Sequence, residues 1–273
     1  IKSTTLRFLR CCNKHDIPLV IIDRSTVVGF IEELVVEYSP STVSGYISRL
    51  KTMYKYAWSM GKIDKKENPF ESHSFAHYGK ETTTAKKQLF SRDQVLQIIT
   101  WAKGESDNIN LLVNLGLYTG CRIGELCGLT SNDVYQEGDL MALYIRKGKT
   151  AAAERTVPLP KVIHPLINKR LKQIVNGDSS LLSMETKKAS NLFSRYKIEN
   201  ISSDKSLCFH SFRVHASTAY IRADVKESTA SFIIGHSGDS KTMTYGYYAK
   251  ADELQELAIA TEKAAWILKR DWL

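Results

Sequence analysis

Thr119-Gly120-Cys121-Arg122-Ile123-Gly124-Glu125 is the stretch of this 273-residue sequence that decides its fold. Apolar residues recur with helical spacing on both sides of it, which predicts helices from Leu111 to Tyr118 and from Arg122 to Leu129, separated by the Thr-Gly pair. Arg122 and Glu125 then stand one helical turn apart, where a carboxylate can hold a guanidinium group in one rotamer. Taken alone, the pair is equally consistent with an ordinary structural ion pair and with an arginine that binds two phosphate oxygens at once.

Two later stretches carry side chains of the same kinds. His210-Ser211-Phe212-Arg213 puts a histidine and an arginine three residues apart, so both can face one phosphate from the same side of a helix. Gly235-His236 comes next and is soon followed by the tyrosine-rich run Met243-Thr244-Tyr245-Gly246-Tyr247-Tyr248-Ala249. Each motif alone is common, but chance rarely supplies the ordered series.

A pair of lysines lies in a polar turn between two predicted strands. The strands run from Leu140 to Ile145 and from Arg155 to Leu159, and the turn contains Lys147-Gly148-Lys149-Thr150. Taken alone, either lysine is an ordinary solvated turn residue. Their position between the first arginine motif and the histidine motif makes a lysine part of the ordered series.

In this order and at these separations, the residues resemble the active site of the tyrosine recombinase (phage integrase) family. The resemblance covers Phe90 to about Lys250, and Thr42 to Phe70 is similar to the last helix of the family's core-binding domain. It implies site-specific cleavage and rejoining of DNA strands through a 3′-phosphotyrosine intermediate. It also implies that no metal, ATP or other cofactor is required.

The resemblance assigns a role to each residue of the series. Arg122, Arg213 and His236 correspond to the groups that clamp the scissile phosphate, and Glu125 supports the first arginine. His210 corresponds to the acid/base histidine. The lysine that protonates the departing 5′ oxygen corresponds best to Lys149, with Lys147 as the second choice.

The nucleophile is one of three tyrosines. A phenol has a pKa of about 10, so the site must remove its proton before the oxygen can attack phosphorus. The run around Tyr247 is similar to the integrase pattern in which the nucleophile follows a glycine by two residues, and this selects Tyr248. In other branches of the family the nucleophile lies closer to the histidine, which favours Tyr245.

The predicted fold class is mainly α with a small β-sheet (α+β), arranged as a two-domain DNA clamp. We expect a helical core-binding domain at residues 1–75, a linker at 76–89, and a catalytic domain with a C-terminal helix at 90–273. Ser91 is predicted to cap the first catalytic-domain helix, with Gln94 completing a capping box.

The first domain is predicted to contain three helices. Apolar spacing indicates helices from Thr4 to Asn13, from Ser25 to Tyr38 with a Ser25-Thr26 cap, and from Thr42 until Gly61 stops the last one.

A formal net charge of +9 favours a polyanionic partner, because lysines and arginines that neutralise phosphates release condensed counterions. The partner that the resemblance implies is double-stranded DNA, contacted by Arg49, Lys51 and Lys55 of the long helix and by Lys147. The resemblance also implies a homo-oligomer on DNA, with a tetramer expected, and possible accessory DNA-bending proteins. The apolar C-terminal helix could cover its own domain or dock on a neighbouring protomer, and we expect the second.

Cysteine usage and hydropathy indicate where the protein is located, and the histidine spacing bears on metal binding. Five cysteines, an odd number without C-x-x-C spacing, indicate a reduced cytoplasmic protein, and no apolar run is long enough for a membrane span. The resemblance adds that the protein is associated with DNA in the nucleoid. His73 and His77 are four residues apart but lack further metal ligands nearby, so a zinc site is not favoured. Because the chain begins at Ile1, a further amino-terminal module could precede it.

Two alternative functions remain open at this level. A type IB topoisomerase-like or dimer-resolving strand transferase would share the nucleophile and the phosphate clamp. A DNA-binding regulator with a decayed active site is the more distant alternative, and it is disfavoured because every expected residue type is present.

Overall fold

The computed structural model describes residues 2–64, 67–75, 87–146, 154–174, 180–235 and 251–273. The chain divides into two compact units, Ile1–Ala85 and Lys86–Leu273. Both units are mainly helical, and the second also contains a three-stranded sheet. The predicted α+β class is therefore confirmed.

Where the structure describes the first unit, it contains three α-helices: α1 (Lys2–Cys11), α2 (Arg24–Glu37) and α3 (Pro40–Ser59). Their core combines aliphatic side chains with aromatic rings, and Phe8 makes edge-to-face contacts with Phe30 at 5.1 Å and with Phe70 at 5.6 Å between ring centroids. Such contacts add to the stabilisation that burial of the rings already gives. Phe70 lies in the segment that follows α3, so this segment also belongs to the core of the first unit.

The cap of α2 differs from the prediction. Asp23, rather than the Ser25-Thr26 pair, is the N-cap, and its carboxylate accepts hydrogen bonds from the Thr26 main-chain N–H at 2.8 Å and from both neighbouring hydroxyl groups. The hydrogen bond from the Thr26 main chain, followed by those from the two hydroxyl groups, lowers the pKa of Asp23 to about 2. The carboxylate outcompetes a serine hydroxyl as the cap because a charge-assisted bond to a helix N-terminus is stronger.

The described residues of the second unit contain eight further α-helices: α4 (Arg92–Glu105), α5 (Asp107–Thr119), α6 (Ile123–Cys127), α7 (His164–Gln173), α8 (Thr186–Tyr196), α9 (Ser211–Arg222), α10 (Glu227–Ile234) and α11 (Ala251–Trp272). The Ser91/Gln94 capping box at the start of α4 is confirmed. Helix α5 lies in the middle of the unit, because residues on all its sides are buried. Residues 87–89, expected in the linker, are attached to this unit, where the Gln88 N–H donates to the Ser206 carbonyl at 3.3 Å.

The sheet is antiparallel with the order β1 (Val134–Glu137), β2 (Leu140–Ile145) and β3 (Arg155–Pro158). Strands β2 and β3 were predicted from the sequence, whereas β1 was not. The register pairs Ile145 with Arg155, so β3 begins opposite the end of β2. Residues 147–153, which join these two strands and include Lys147 and Lys149, lie outside the described residues.

Helix α11 packs against its own unit. The Tyr220 hydroxyl lies 3.3 Å from the Thr261 hydroxyl, and the Trp272 ring meets the His215 ring edge-on at 4.9 Å. The apolar face that prompted the expectation of docking on a neighbouring protomer is thus covered within the same chain. None of the helices in the described ranges has the length and apolar character needed to cross a membrane.

Candidate active site

Two glycines with left-handed backbone conformation set up the site. Gly120 (φ 64°) ends α5 and Gly235 (φ 75°) ends α10. In the sequence, Arg122 comes two residues after the first glycine and His236 directly after the second. Only glycine adopts this conformation without steric cost, which explains the glycine in each motif.

Arg122 is held by the carboxylate three residues later, as predicted. Its Nη1 donates to Glu125 Oε1 at 2.7 Å, and its main-chain N–H donates to Glu125 Oε2 at 2.9 Å. Its Nη2 also reaches the Gly235 carbonyl at 3.4 Å. The side chain nevertheless remains 42% exposed, so one side of the guanidinium faces outward.

Arg213 lies in the first turn of α9 and is only 2% exposed. Its Nη1 donates to the carbonyls of Gly120, at 3.0 Å, and Ile234, and its Nη2 donates to the Gly235 carbonyl at 2.8 Å. Arg213 therefore connects the ends of α5 and α10. Arg122 and Arg213, from separate elements, converge on the same Gly235 carbonyl.

A third arginine, which the sequence indicated only as the start of a strand, completes the cluster. Arg155 of β3 is 1% exposed, and its guanidinium donates to the carbonyls of Ile233 and Ile234 and to Glu125. The sequence contains one signal for this position. Strand alternation puts Arg155 on the same face as Val157, which is fully buried, so the arginine had to point inward.

Glu125 neutralises part of this charge. Its side chain is 3% exposed and accepts hydrogen bonds from both Arg122 and Arg155. Burial by itself raises the pKa of a carboxyl group, but the charge and hydrogen bond of Arg155, with the two donors of Arg122, outweigh it, so the pKa of Glu125 is lowered. The carboxylate is ionised at neutral pH.

The cluster keeps an excess of positive charge. Three guanidinium groups face one carboxylate among the described residues, and most of the compensation comes from carbonyls at the C-terminal ends of α5 and α10, where helices carry partial negative charge. Burial, then the charges of Arg122 and Arg155, lower the pKa of Arg213 to about 10. Arg213 stays charged at neutral pH, and the site is suited to an anion.

His210 lies beside this cluster, directly before α9. Partial burial lowers the pKa of His210, and the positive charges of Arg213 and Arg122 lower it further. The imidazole is therefore mostly neutral at pH 7 and can accept a proton. The structure thus brings Arg122, Glu125, His210 and Arg213 together, whereas His236 and the tyrosines Tyr245, Tyr247 and Tyr248 lie outside the described residues.

The basic residues predicted to contact DNA in the first unit fall into two groups on different sides of α3. Arg49 lies over the Tyr46 ring at 5.7 Å, and Arg7, which the sequence did not single out, lies 5.8 Å from the same ring. Lys51 and Lys55 instead form ion pairs with Glu71 at 3.4 and 2.9 Å. The two groups are not one continuous patch.

One of the two histidines weighed as metal ligands makes a hydrogen bond to the main chain. His73 Nε2 lies 2.7 Å from the Pro69 carbonyl, a hydrogen bond that is local to its own segment. His77 lies outside the described residues.

A buried arginine cluster with one outward side and an adjacent histidine has the charge to attract an anion such as a phosphate group. Comparison with known proteins identifies the family. The phage integrase family profile matches residues 88–253, and the phage integrase SAM-like domain profile matches residues 1–76.

Individual relatives agree with this match. A tyrosine recombinase of Thermosipho africanus is 25% identical over 243 residues, covering 85% of this chain and 82% of the relative. The transposase of transposon Tn916 from Enterococcus faecalis is 26% identical over 247 residues, covering 78% of this chain and 59% of the transposase.

Solved structures have the same fold. The Tn1549 transposon integrase in complex with transposon right end DNA superposes with a TM-score of 0.62 at 19% identity, over 93% of this chain and 91% of that one. A lambda integrase dimer bound to a core site gives a TM-score of 0.61 at 19% identity, over 88% and 90% of the two chains.

The chain belongs to the phage integrase family, and it is an enzyme that cleaves and rejoins DNA in site-specific recombination. These relatives do not favour the topoisomerase-like alternative.

Proposed function

We propose that this recombinase cleaves one DNA strand by attack of Tyr248 on a phosphodiester, forming a 3′-phosphotyrosine bond and releasing a 5′ hydroxyl. The observation that carries the proposal is the convergence of Arg122 and Arg213 on the Gly235 carbonyl, at 3.4 and 2.8 Å. Two cations from separate parts of the chain thereby meet at the Gly235 carbonyl. A phosphate held beside that carbonyl lies near both arginines, and His236 is the next residue in the sequence.

The arginines stabilise the charge that builds up during attack. When an oxygen adds to phosphorus, negative charge on the non-bridging oxygens increases, and donors fixed beforehand stabilise it without reorganising. Arg122 presents its exposed side to the phosphate, while Glu125 fixes its orientation. Arg213 is nearly buried and contributes mainly through its charge and through the carbonyls it holds in place.

Proton transfer is divided between two groups in this proposal. His210, with its lowered pKa, is available as the base or as the acid of the reverse step. Lys149 of the β2–β3 connection protonates the departing 5′ oxygen, and Lys147 is the second choice. No metal and no ATP are required, because the phosphotyrosine bond conserves the energy of the phosphodiester for religation by another strand.

Double-stranded DNA is the proposed substrate, contacted by side chains of both units. Arg49, Lys51, Lys55 and Lys147 are the proposed phosphate contacts, and residues 1–75 act as the core-binding domain, joined by residues 76–89 to the catalytic domain at 90–273. A tetramer is the proposed active assembly, since a lambda integrase tetramer bound to a Holliday junction is among the similar structures, at a TM-score of 0.61 and 18% identity. The five free cysteines suit a reducing compartment such as the cytoplasm.

A nicked suicide duplex carrying the target site tests the proposal. The released fragment diffuses away after cleavage, so the wild-type protein should accumulate as a covalent DNA adduct that is stable in denaturing gels. Tyr248→Phe should bind the duplex with wild-type affinity and form no adduct, because only the attacking oxygen is lost. Tyr245→Phe and Tyr247→Phe are the matched controls and should retain adduct formation.

The mapping of the adduct decides between the tyrosines. Peptide sequencing should find the nucleotide on Tyr248, and adduct formation by Tyr248→Phe at the wild-type level would transfer the role to Tyr245 or Tyr247. Absence of any adduct from the wild-type protein on its own site would contradict the proposal. Recombinant joints between two labelled duplexes distinguish strand exchange from resealing of one strand.

A further inference from the structure

We propose that Arg155 is a positioning residue of the cleavage site, which holds both the last turn of α10 and the carboxylate that orients Arg122. The inference rests on the proposed function, because it concerns the alignment of groups around the scissile phosphate. Arg155 is 1% exposed, so it acts on the reaction without touching DNA. It lies on β3, outside the motifs that carry the other site residues.

The first connection runs from Arg155 to the end of α10. Its Nε donates to the Ile233 carbonyl at 2.9 Å, and its Nη2 donates to the Ile234 carbonyl at 3.0 Å. The last carbonyls of a helix have no partner within the helix, so this guanidinium holds the last turn of α10 in place. Gly235 follows that turn, and His236 is the next residue in the sequence.

The second connection runs through Glu125. Arg155 Nη2 donates to Glu125 Oε2 at 3.1 Å, while Glu125 Oε1 accepts from Arg122 Nη1 at 2.7 Å. One carboxylate is therefore shared by a buried arginine and a half-exposed one. If Arg155 were shortened, the carboxylate could rotate toward Arg122 and carry that guanidinium away from its present orientation.

The close packing of Gly235 supports this role. A Cβ atom at this position would lie 2.6 Å from Arg155 Cζ and 2.7 Å from its Nη1. The guanidinium thus lies directly against the glycine backbone, and no other residue leaves room for it. Lysine cannot replace Arg155 here, because its ammonium group does not reproduce the planar guanidinium that donates to two carbonyls and a carboxylate.

Single-turnover cleavage of two suicide duplexes tests the proposal. One carries the natural scissile phosphodiester, and the other carries a methylphosphonate there, in which a methyl group replaces a charged non-bridging oxygen. With less charge to stabilise, cleavage of the second duplex depends less on the alignment of the arginines. The ratio of the two rate constants does not depend on the fraction of active protein, so partial unfolding cannot imitate the expected result.

We expect Arg155→Lys to cleave the phosphodiester about ten- to a hundredfold more slowly, as a misalignment of the order of 1 Å does. Cleavage of the methylphosphonate should fall much less, and the DNA concentration at half-maximal rate should change less than about twofold, since no DNA contact is removed. Arg170→Lys is the matched control. Arg170 also donates to main-chain carbonyls, those of Ser180 and Leu181, but lies outside the cluster, so the rate ratio should stay at the wild-type value.

Gly235→Ala disturbs the same contact from the side of the glycine, and it replaces Arg155→Lys as the test variant if Arg155→Lys does not fold. It should shift the rate ratio in the same direction. Gly138→Ala is its control, because Gly138 has a similar positive φ of 56° but a Cβ there meets nothing within 4 Å. This control separates backbone strain from the displacement of Arg155.

The outcomes separate the two proposals. An active wild-type enzyme with Arg155→Lys and Gly235→Ala slowed equally on both duplexes would overturn the positioning role and leave the proposed function intact. A wild-type protein that forms no adduct would overturn the proposed function itself. A changed ratio in Arg155→Lys and Gly235→Ala, with both controls unchanged, supports the proposal.

Discussion

The Nε2 atom of His215 accepts a hydrogen bond of 2.9 Å from the main-chain N–H of Phe90, in the core of the second unit. The acceptor role requires the neutral imidazole with its proton on Nδ1, and that atom has no hydrogen-bond partner within the described residues. The ring also stacks on the Phe90 ring, with 6.2 Å between centroids. One buried histidine thus attaches the start of the catalytic unit to α9.

Stability should fall in acid because of His215. Burial lowers the pKa of His215 from its ordinary value near 6.5 to about 4. Between these values the unfolded chain binds a proton that the folded protein does not, so the unfolding free energy falls as the pH falls from 6.5 to 4, by at most about 1.4 kcal/mol per pH unit. Urea unfolding of the full chain between pH 7.5 and 4.5 measures this dependence.

His215→Gln separates this histidine from other titrating groups. The glutamine amide oxygen can still accept from Phe90 but does not titrate, so the variant should lose less stability over the same pH range. His164→Gln, which removes another imidazole of the same unit, is the control. Parallel pH profiles for wild type and His215→Gln would contradict the interpretation.

Arg122→Lys should slow DNA cleavage strongly and change the stability of the fold only slightly. An ammonium group cannot contact Glu125, the Gly235 carbonyl and a phosphate at once, and loss of one fixed oxyanion donor costs about a hundred- to a thousandfold in rate. Adduct formation per minute on the suicide duplex is the measurement, and the thermal midpoint is the check on folding.

A second arginine offers a closely matched control for that experiment. Arg222 is 46% exposed and pairs with Asp271 at 2.6 Å, much as Arg122 is 42% exposed and pairs with Glu125 at 2.7 Å. Arg222→Lys should cleave at the wild-type rate. An equal loss in both variants would mean that the effect is one of general packing.

Much of the fold follows from local sequence rules. The Ser91/Gln94 capping box and strand β2 were predicted because each depends on residues that are neighbours in the chain. Strand β1 was missed because three of its four residues are exposed and lack the apolar alternation that marks a strand. The cap of α2 was misplaced because a serine and an aspartate compete there, and the charged group wins.

The site shows the same division between local and distant contacts. Arg122 with Glu125 and His210 with Arg213 are three residues apart, so a motif reveals them. Arg155 bonds to the Ile233 carbonyl 78 residues later, and a main-chain acceptor leaves no mark in the sequence. Contacts to main-chain carbonyls therefore become visible only in the three-dimensional structure.

The cleavage rate should depend on pH through His210. Because partial burial and the charges of Arg213 and Arg122 lower the pKa of His210, the neutral base persists below pH 6.5, and the acid limb of the rate profile should lie below that value. Arg122→Gln removes one of these charges and should move the limb toward 6.5, besides lowering the rate. Single-turnover adduct formation from pH 5 to 8 measures both effects. If the acid limb lies at the same pH in Arg122→Gln as in the wild type, a group other than His210 causes it.

Glu71→Gln should tighten DNA binding. Lys51 and Lys55 both pair with the Glu71 carboxylate, so phosphate must compete with it for these two lysines. Exposed ion pairs are weak, and we expect a gain of about two- to fivefold in affinity at low salt, together with a steeper fall of affinity with salt concentration, because more counterions are released. Fluorescence anisotropy with a labelled duplex at several salt concentrations measures both quantities. Glu32→Gln makes the same change in formal charge at another exposed carboxylate of the first unit, and equal gains in the two variants would show that Lys51 and Lys55 do not contact DNA.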